Sequence, residues 1–189
     1  MKNLKSIALA LVVALSALSA TAQTKKVDVS KSSINWLGKK VTGQHEGTIN
    51  LKEGALVFKG KKLAGGTFTV DMTSIVTTDL KAGKGKEDLE GHLKSEDFFG
   101  TEKFQSATLV FKTIGEKSKN VYTVTADLTI KGITNPITFD MLVKGKTATT
   151  DLKIDRTKYD IKYKSKNFFA DLGEKFIYDE FDLAVALNF

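Results

Sequence analysis

The chain has no cysteine, and among its 189 residues there are one proline, one tryptophan, one arginine and two histidines. Without cysteine there is no disulfide scaffold, thiolate metal site, cysteine nucleophile or lipidated N-terminal cysteine. The two histidines do not form a His-Glu-x-x-His zinc signature, since His45-Glu46 runs on into Gly47-Thr48-Ile49 and the other imidazole is His92. There is no Gly-x-Ser-x-Gly elbow for a serine nucleophile. Gly83-Lys84-Gly85-Lys86 lacks the Lys-Ser/Thr ending of a phosphate loop. The adjacent acids Asp179 and Glu180 point to opposite faces if they sit on a strand, which is wrong for a glycosidase pair. A binding protein without catalytic residues, metal or cofactor is therefore the expectation.

Only one long apolar run is present, Ile7 to Leu18, interrupted by Ser16. Lys2 and Lys5 precede it, and Ala20-Thr21-Ala22 supplies a small-x-small cleavage pattern before Gln23. This is the layout of a secretory signal peptide, and the run falls short of the ~18 apolar residues that a membrane span requires. The expected organisation is a leader over 1–22 and one domain over 23–189, periplasmic or secreted after cleavage near Gln23. The remaining 27 Lys+Arg against 22 Asp+Glu give a formal +5, with the signs interleaved as in Lys86-Glu87-Asp88. Such a surface argues against a nucleic-acid partner and is compatible with peripheral contact to an anionic membrane. An apolar content of 41% excludes a disordered chain.

What the chain has in quantity is alternation. Tyr122, Val124, Ala126, Leu128 and Ile130 share one face, and Ile137, Phe139, Met141 and Val143 repeat the pattern. Phe181, Leu183, Val185, Leu187 and Phe189 form a third stripe. Period two is the signature of half-buried strands. Turns are expected at Lys52-Glu53-Gly54, Lys59-Gly60-Lys61, Ile114-Gly115-Glu116 and Thr134-Asn135-Pro136. About eight strands in a meander predict an all-β fold, an antiparallel barrel or sandwich. Lys86–Lys94 reads as a short helix, acidic at its start and basic at its end. Ser95 is expected to cap a second turn, and 167–173 to form a weaker helix.

The inward stripes nominate Trp36, Phe58, Phe68, Phe111, Tyr122 and Phe139 as contacts for an apolar ligand. Phe98, Phe99 and Phe104, with Phe168 and Phe169, lie between strands and are expected to lid a barrel opening. Arg156 is the sole arginine among 29 basic residues, so its planar guanidinium serves either a partly buried ion pair or a clamp on a polar head group. Tyr159 and His92 are the other head-group candidates.

Three stretches together resemble the YceI-like family. They are His92-Leu93-Lys94-Ser95-Glu96-Asp97-Phe98-Phe99 with Lys103-Phe104, then Leu128 to Phe139, then Asp155-Arg156 with Tyr159 and Tyr163 ahead of the closing strand Phe181–Phe189. Gln105, Asp160 and Tyr178 stand where the family often has proline, glycine and glycine. The resemblance implies a lipocalin-like barrel of about eight strands that binds a polyisoprenoid or other long-chain lipid. Two other readings stay open at this point. One is an enzyme acting on a small amphiphile, with His45 or His92 as base; the other is a solid-cored interaction module.

Overall fold

In the computed structural model, which describes residues 21–189, nine antiparallel strands account for most of the chain. All but the last two residues of the expected leader, 1–22, lie outside the described residues. The strands are β1 (Ala22–Lys26), β2 (Ser33–Lys40), β3 (Gly43–Lys59), β4 (Lys62–Thr77), β5 (Ser106–Ser118), β6 (Val121–Ile130), β7 (Ile133–Lys144), β8 (Thr147–Asp155) and β9 (Ile177–Asn188). From β2 to β9 each strand pairs with its sequence neighbour, and β9 returns to β2, so eight strands close into a barrel. β1 stands outside that ring and pairs with the far half of β3, from Ala22↔Lys59 to Lys26↔Ala55.

The side-chain alternation builds this wall directly. On β6 every second residue from Tyr122 to Ile130 is buried, and β8 alternates the same way. Inward-facing apolar residues leave water while the outward threonines and lysines keep it, so a one-residue slip would invert every strand.

Three of the expected turns are strand interior. Lys52-Glu53-Gly54 belongs to β3, which bulges there instead of reversing. A Cβ on Gly54 would lie 2.6 Å from the Phe68 ring, so this glycine makes room for an aromatic neighbour. Ile114-Gly115-Glu116 runs through β5, and the reversal comes later, at Lys119-Asn120. Thr134-Asn135-Pro136 lies in β7, where the reversal is Lys131-Gly132. Proline is tolerated there because β8 joins β7 only from Leu142↔Thr149 onward, so no second ladder needs its N–H. The fourth turn is where it was expected, at Gly60-Lys61 between β3 and β4.

The helix α1 spans Lys86–Lys94, with Glu87 and Asp88 in its first turn and Lys94 in its last. Ser95 ends this helix and caps no second one: its hydroxyl donates back to the His92 carbonyl at 2.8 Å, and Glu96–Phe99 form a turn. No α-helix forms at 167–173; one short 3-10 turn follows at Gly173–Lys175 and another stands at Arg156–Tyr159. Asp160 closes the latter at φ 59°, the left-handed conformation that glycine adopts most easily.

Just past β4, Asp79 ties the loop to β3. Its carboxylate accepts from Thr77 Oγ1 at 2.6 Å and from the Glu46 N–H at 3.3 Å, and lies 2.8 Å from His45 Nδ1. Burial pushes the acid up, but these hydrogen bonds outweigh it and hold Asp79 at about 2. A depressed carboxylate stabilises the fold fully above its unfolded value and loses that contribution as pH falls through the folded one. Asp79→Asn is therefore expected to cost about 1 kcal/mol near neutral pH. The gap between the two melting curves should close as pH is lowered from about 4 to about 2, which paired thermal melts across that range would check.

Candidate functional site

The two barrel ends differ in what they bury. The end carrying the β3–β4, β5–β6 and β7–β8 turns is filled with side chains: Phe58 meets Phe189 at 5.6 Å between ring centroids, and Leu56 and Tyr122 are buried at this end. At the opposite end α1 and the turn after it bridge β4 to β5, and the stretch 160–176 bridges β8 to β9. Beneath this cover the barrel is hollow. A cavity of about 180 Å³ is walled by side chains such as Ile34, Leu51, Val70, Leu109, Leu183 and Val185, with Leu93, Phe98 and Phe99 reaching in from above.

The inner stripe of β9 shows the void from the other side. Phe181, Leu183 and Val185 point inward yet are only half-buried, while Leu187, one step further toward the filled end, is buried. An interior space lined by carbon with almost no polar atom stays dry, as an engineered cavity of about 150 Å³ does while admitting benzene. By that comparison the space takes roughly seven carbons.

The wall is interrupted beside this cavity. β2 and β9 are in register down to Gly38↔Phe181, but the next pair is Lys40↔Ile177, so Tyr178, Asp179 and Glu180 bow away from β2. Gly38, Lys39, Ile177, Tyr178 and Glu180 all border the cavity at this break. A Cβ on Gly38 would meet nothing within 4 Å. This is the mouth. Its polar rim is Lys39, which donates to Asp182 at 2.9 Å, together with Glu180 and the half-exposed Tyr178.

Trp36 holds the floor of the same wall. Its indole N–H reaches the Thr48 and Val76 carbonyls at 3.3 and 3.2 Å, where the β3–β4 ladder jumps from Thr48↔Val76 to Asn50↔Asp71. The indole passes so close over β3 that a Cβ on Gly47 would lie 1.9 Å from the Val76 carbonyl oxygen and 2.6 Å from the ring.

Of the residues nominated from sequence, Trp36, Phe68, Phe98, Phe99, Phe139 and Arg156 line the cavity. The others do not. Phe58 and Tyr122 lie at the filled end, and Phe111 packs where a Cβ on Gly66 would otherwise stand, 5.5 Å from Phe68. Phe104 lies against Gly100 and Gly132 and does not border the cavity. Phe168 and Phe169 are no lids, being 50% and 48% exposed. The aliphatic lining and the mouth went unnominated; the broken pairing of β2 with β9 has no signature in local sequence.

The head-group candidates are also placed differently. Tyr159 is wholly buried away from the cavity, its hydroxyl without a protein partner and pushed up to about 12 by burial, with Asp155 adding to it. His92 stacks edge-on against Tyr163 and Phe98 at 4.4 and 5.0 Å, tying α1 to the stretch 160–176. Neither His92 nor His45 borders the cavity. Among the described residues no group of three His, Cys, Asp or Glu side chains is placed to hold a metal.

Arg156 is committed to the protein. Its Nε donates to the Tyr178 carbonyl at 3.1 Å, one terminal nitrogen to Ile161 at 2.8 Å, and the other to Ile177 at 3.0 Å and to Asp179 at 3.3 Å. Burial lowers its pKa, opposed by the charges of Asp179 and Asp155. The guanidinium thus fixes the bowed start of β9 and with it one lip of the mouth.

Residues 26–189 match the family described as YceI-like domain. The chain belongs to the YceI-like family. Among curated relatives, this YceI-like chain is similar to UPF0312 proteins of Staphylococcus aureus strains USA300 and MRSA252, 50% and 52% identical over 56 residues. That stretch spans 30% of this chain and 30% of each relative. Among solved structures, BcnA of Burkholderia cenocepacia superposes with a TM-score of 0.67 at 24% identity, over 85% of this chain and 98% of that one. A polyisoprenoid binding domain of Saccharophagus degradans gives 0.56 at 15% identity, over 86% and 95%. The Campylobacter jejuni YceI protein gives 0.53 at 18%, over 73% and 81%. These superpositions establish the shared YceI-like barrel.

A lysine at position 156 cannot hold three carbonyls and a carboxylate in one plane. Arg156→Lys is expected to lower stability by about 3 kcal/mol, read by chemical denaturation. Loss of order should concentrate at Ile177–Asp179, read by hydrogen exchange; unchanged exchange there would mean the guanidinium does not hold the lip.

Proposed function

We propose that this protein binds an isoprenoid or another long-chain amphiphile, with the apolar tail in the hollow half of the barrel and the polar end at the mouth. The observation that carries this reading is the carbon-lined cavity of about 180 Å³, bordered by Gly38 and Ile177 where β2 and β9 lose their register. Membership of a family with a polyisoprenoid binding domain among its structural neighbours supports it. Lys39, Tyr178 and Glu180 are the side chains placed to meet a head group, and Arg156 acts by holding their frame. The basic, apolar leader supports export to the periplasm or beyond as the setting.

The driving force is burial of hydrocarbon. Each methylene contributes about 0.8 kcal/mol, so roughly seven of them give about 6 kcal/mol before the cost of association. A longer tail must continue through the mouth, where it stays partly in water.

Saturated fatty acids of increasing length, competing against N-phenyl-1-naphthylamine, are expected to gain about four-fold in affinity per methylene until the cavity is full. Beyond roughly seven carbons the gain should become shallower. Gly38→Phe fills the mouth without a backbone clash and is expected to lower uptake of every chain at least about ten-fold, with an unchanged melting temperature. Affinity independent of chain length, or a Gly38→Phe protein that binds as before, would contradict the proposal.

A further inference from the structure

The segment from Lys158 to Tyr178, which joins β8 to β9 over the hollow end, carries a surface that the cavity does not use. Phe168 and Phe169 stand side by side and half in water, and Tyr178 is exposed to 49%. Three lysines precede the phenylalanines at alternate positions, and each ammonium lies over a ring of the same segment. Lys162 is 5.1 Å from the centroid of Phe168, Lys164 is 5.2 Å from Tyr163, and Lys166 is 4.7 Å from Phe176.

The acids nearby are fewer and partly engaged. Between Lys158 and Lys175 the segment holds five lysines against Asp160, Asp171 and Glu174. Asp160 pairs with Lys162 at 2.7 Å. Asp179, just beyond, accepts from the buried Arg156 and from Asn167 at 2.7 Å. The formal +5 of residues 23–189 acts in the same direction.

Rings at the surface interleaved with long cationic stems are the chemistry of an interfacial anchor. The aromatic bodies enter the boundary between head groups and acyl chains, while the ammonium groups stay at the level of the phosphates. The location matters as much as the composition, because the segment ends in Ile177 and Tyr178, which border the mouth. We infer that the Lys158–Tyr178 segment docks on the surface of an anionic bilayer and brings the mouth against the lipid. Tail transfer between bilayer and barrel then avoids a passage through water. The docking itself stands independently of what the cavity holds.

Co-sedimentation of the purified full chain with vesicles tests it, comparing equal parts phosphatidylglycerol and phosphatidylcholine against phosphatidylcholine alone. The wild type is expected to pellet with the anionic vesicles, to be released by high salt, and to remain largely in solution with the neutral ones. Each lysine near an anionic surface contributes about five-fold, so replacing Lys162, Lys164 and Lys166 with glutamine should weaken binding about a hundred-fold. Phe168→Ser with Phe169→Ser should weaken it at least about ten-fold. Lys162, Lys166, Phe168 and Phe169 are exposed and Lys164 is half-buried; circular dichroism and N-phenyl-1-naphthylamine uptake should match wild type in both variants.

Wild-type protein that stays in solution with anionic vesicles overturns the inference, as does equal, salt-independent binding to both vesicle types. So does either variant pelleting like wild type. Failure of the wild type to take up the naphthylamine probe would count against the carrier reading alone.

Discussion

Closing eight strands into a ring fixes a radius at which the interior is only just filled by the side chains it receives. Everything else in this molecule depends on how that narrow space is shared along its length. At one end aromatic residues occupy it, with Phe58 against Phe189 and Tyr122 buried beside them. At the other the wall contributes mainly branched aliphatic residues, which line the space without reaching across it. Aromatic rings also border the hollow half, Phe68, Phe139 and Phe181 from the wall and Phe98 and Phe99 from above, but there they line a space and do not close it.

Hollowness alone does not make a binding site, since a sealed void exchanges nothing. Access comes from the mismatch between β2 and β9 beyond Gly38↔Phe181, and that mismatch needs support because it forfeits ladder hydrogen bonds. The sole arginine supplies it, giving the Tyr178 and Ile177 carbonyls the donors that β2 does not. Trp36 does the equivalent for the gap between β3 and β4, satisfying Thr48 and Val76 through one indole N–H. In both places a polar side chain is spent on holding the wall open, so neither is free for a ligand's head group.

The strand pattern was legible because alternation is a local property: the stripe Tyr122 to Ile130 is buried residue for residue. The helix Lys86–Lys94 was legible for the same reason, its charges matching its dipole within nine residues. Turns were misread where glycine or proline serves a distant neighbour. Gly54 yields to Phe68 and Pro136 sits where β8 has not yet joined, facts that belong to the register and not to the segment. The aromatic contacts were half legible. Alternation says that Phe58, Phe111 and Phe139 face inward or nearly so, but depth along the barrel decides which of them reaches the cavity. The rarity of arginine marked Arg156 as important, and its role as a buried staple became visible only with Ile177–Asp179 beside it.

Trp36 is the only tryptophan in the chain and it borders the cavity, so its fluorescence reports on the space directly. The most direct measurement is quenching of that emission by fatty acids carrying bromine at successive positions along the chain, each compared with the unbrominated acid. A tail inside the barrel requires saturable quenching at one acid per protein, strong for bromine within roughly seven carbons of the buried end and weak near the head group. Quenching that never saturates, or that does not depend on where the bromine lies, would mean that no tail occupies the cavity.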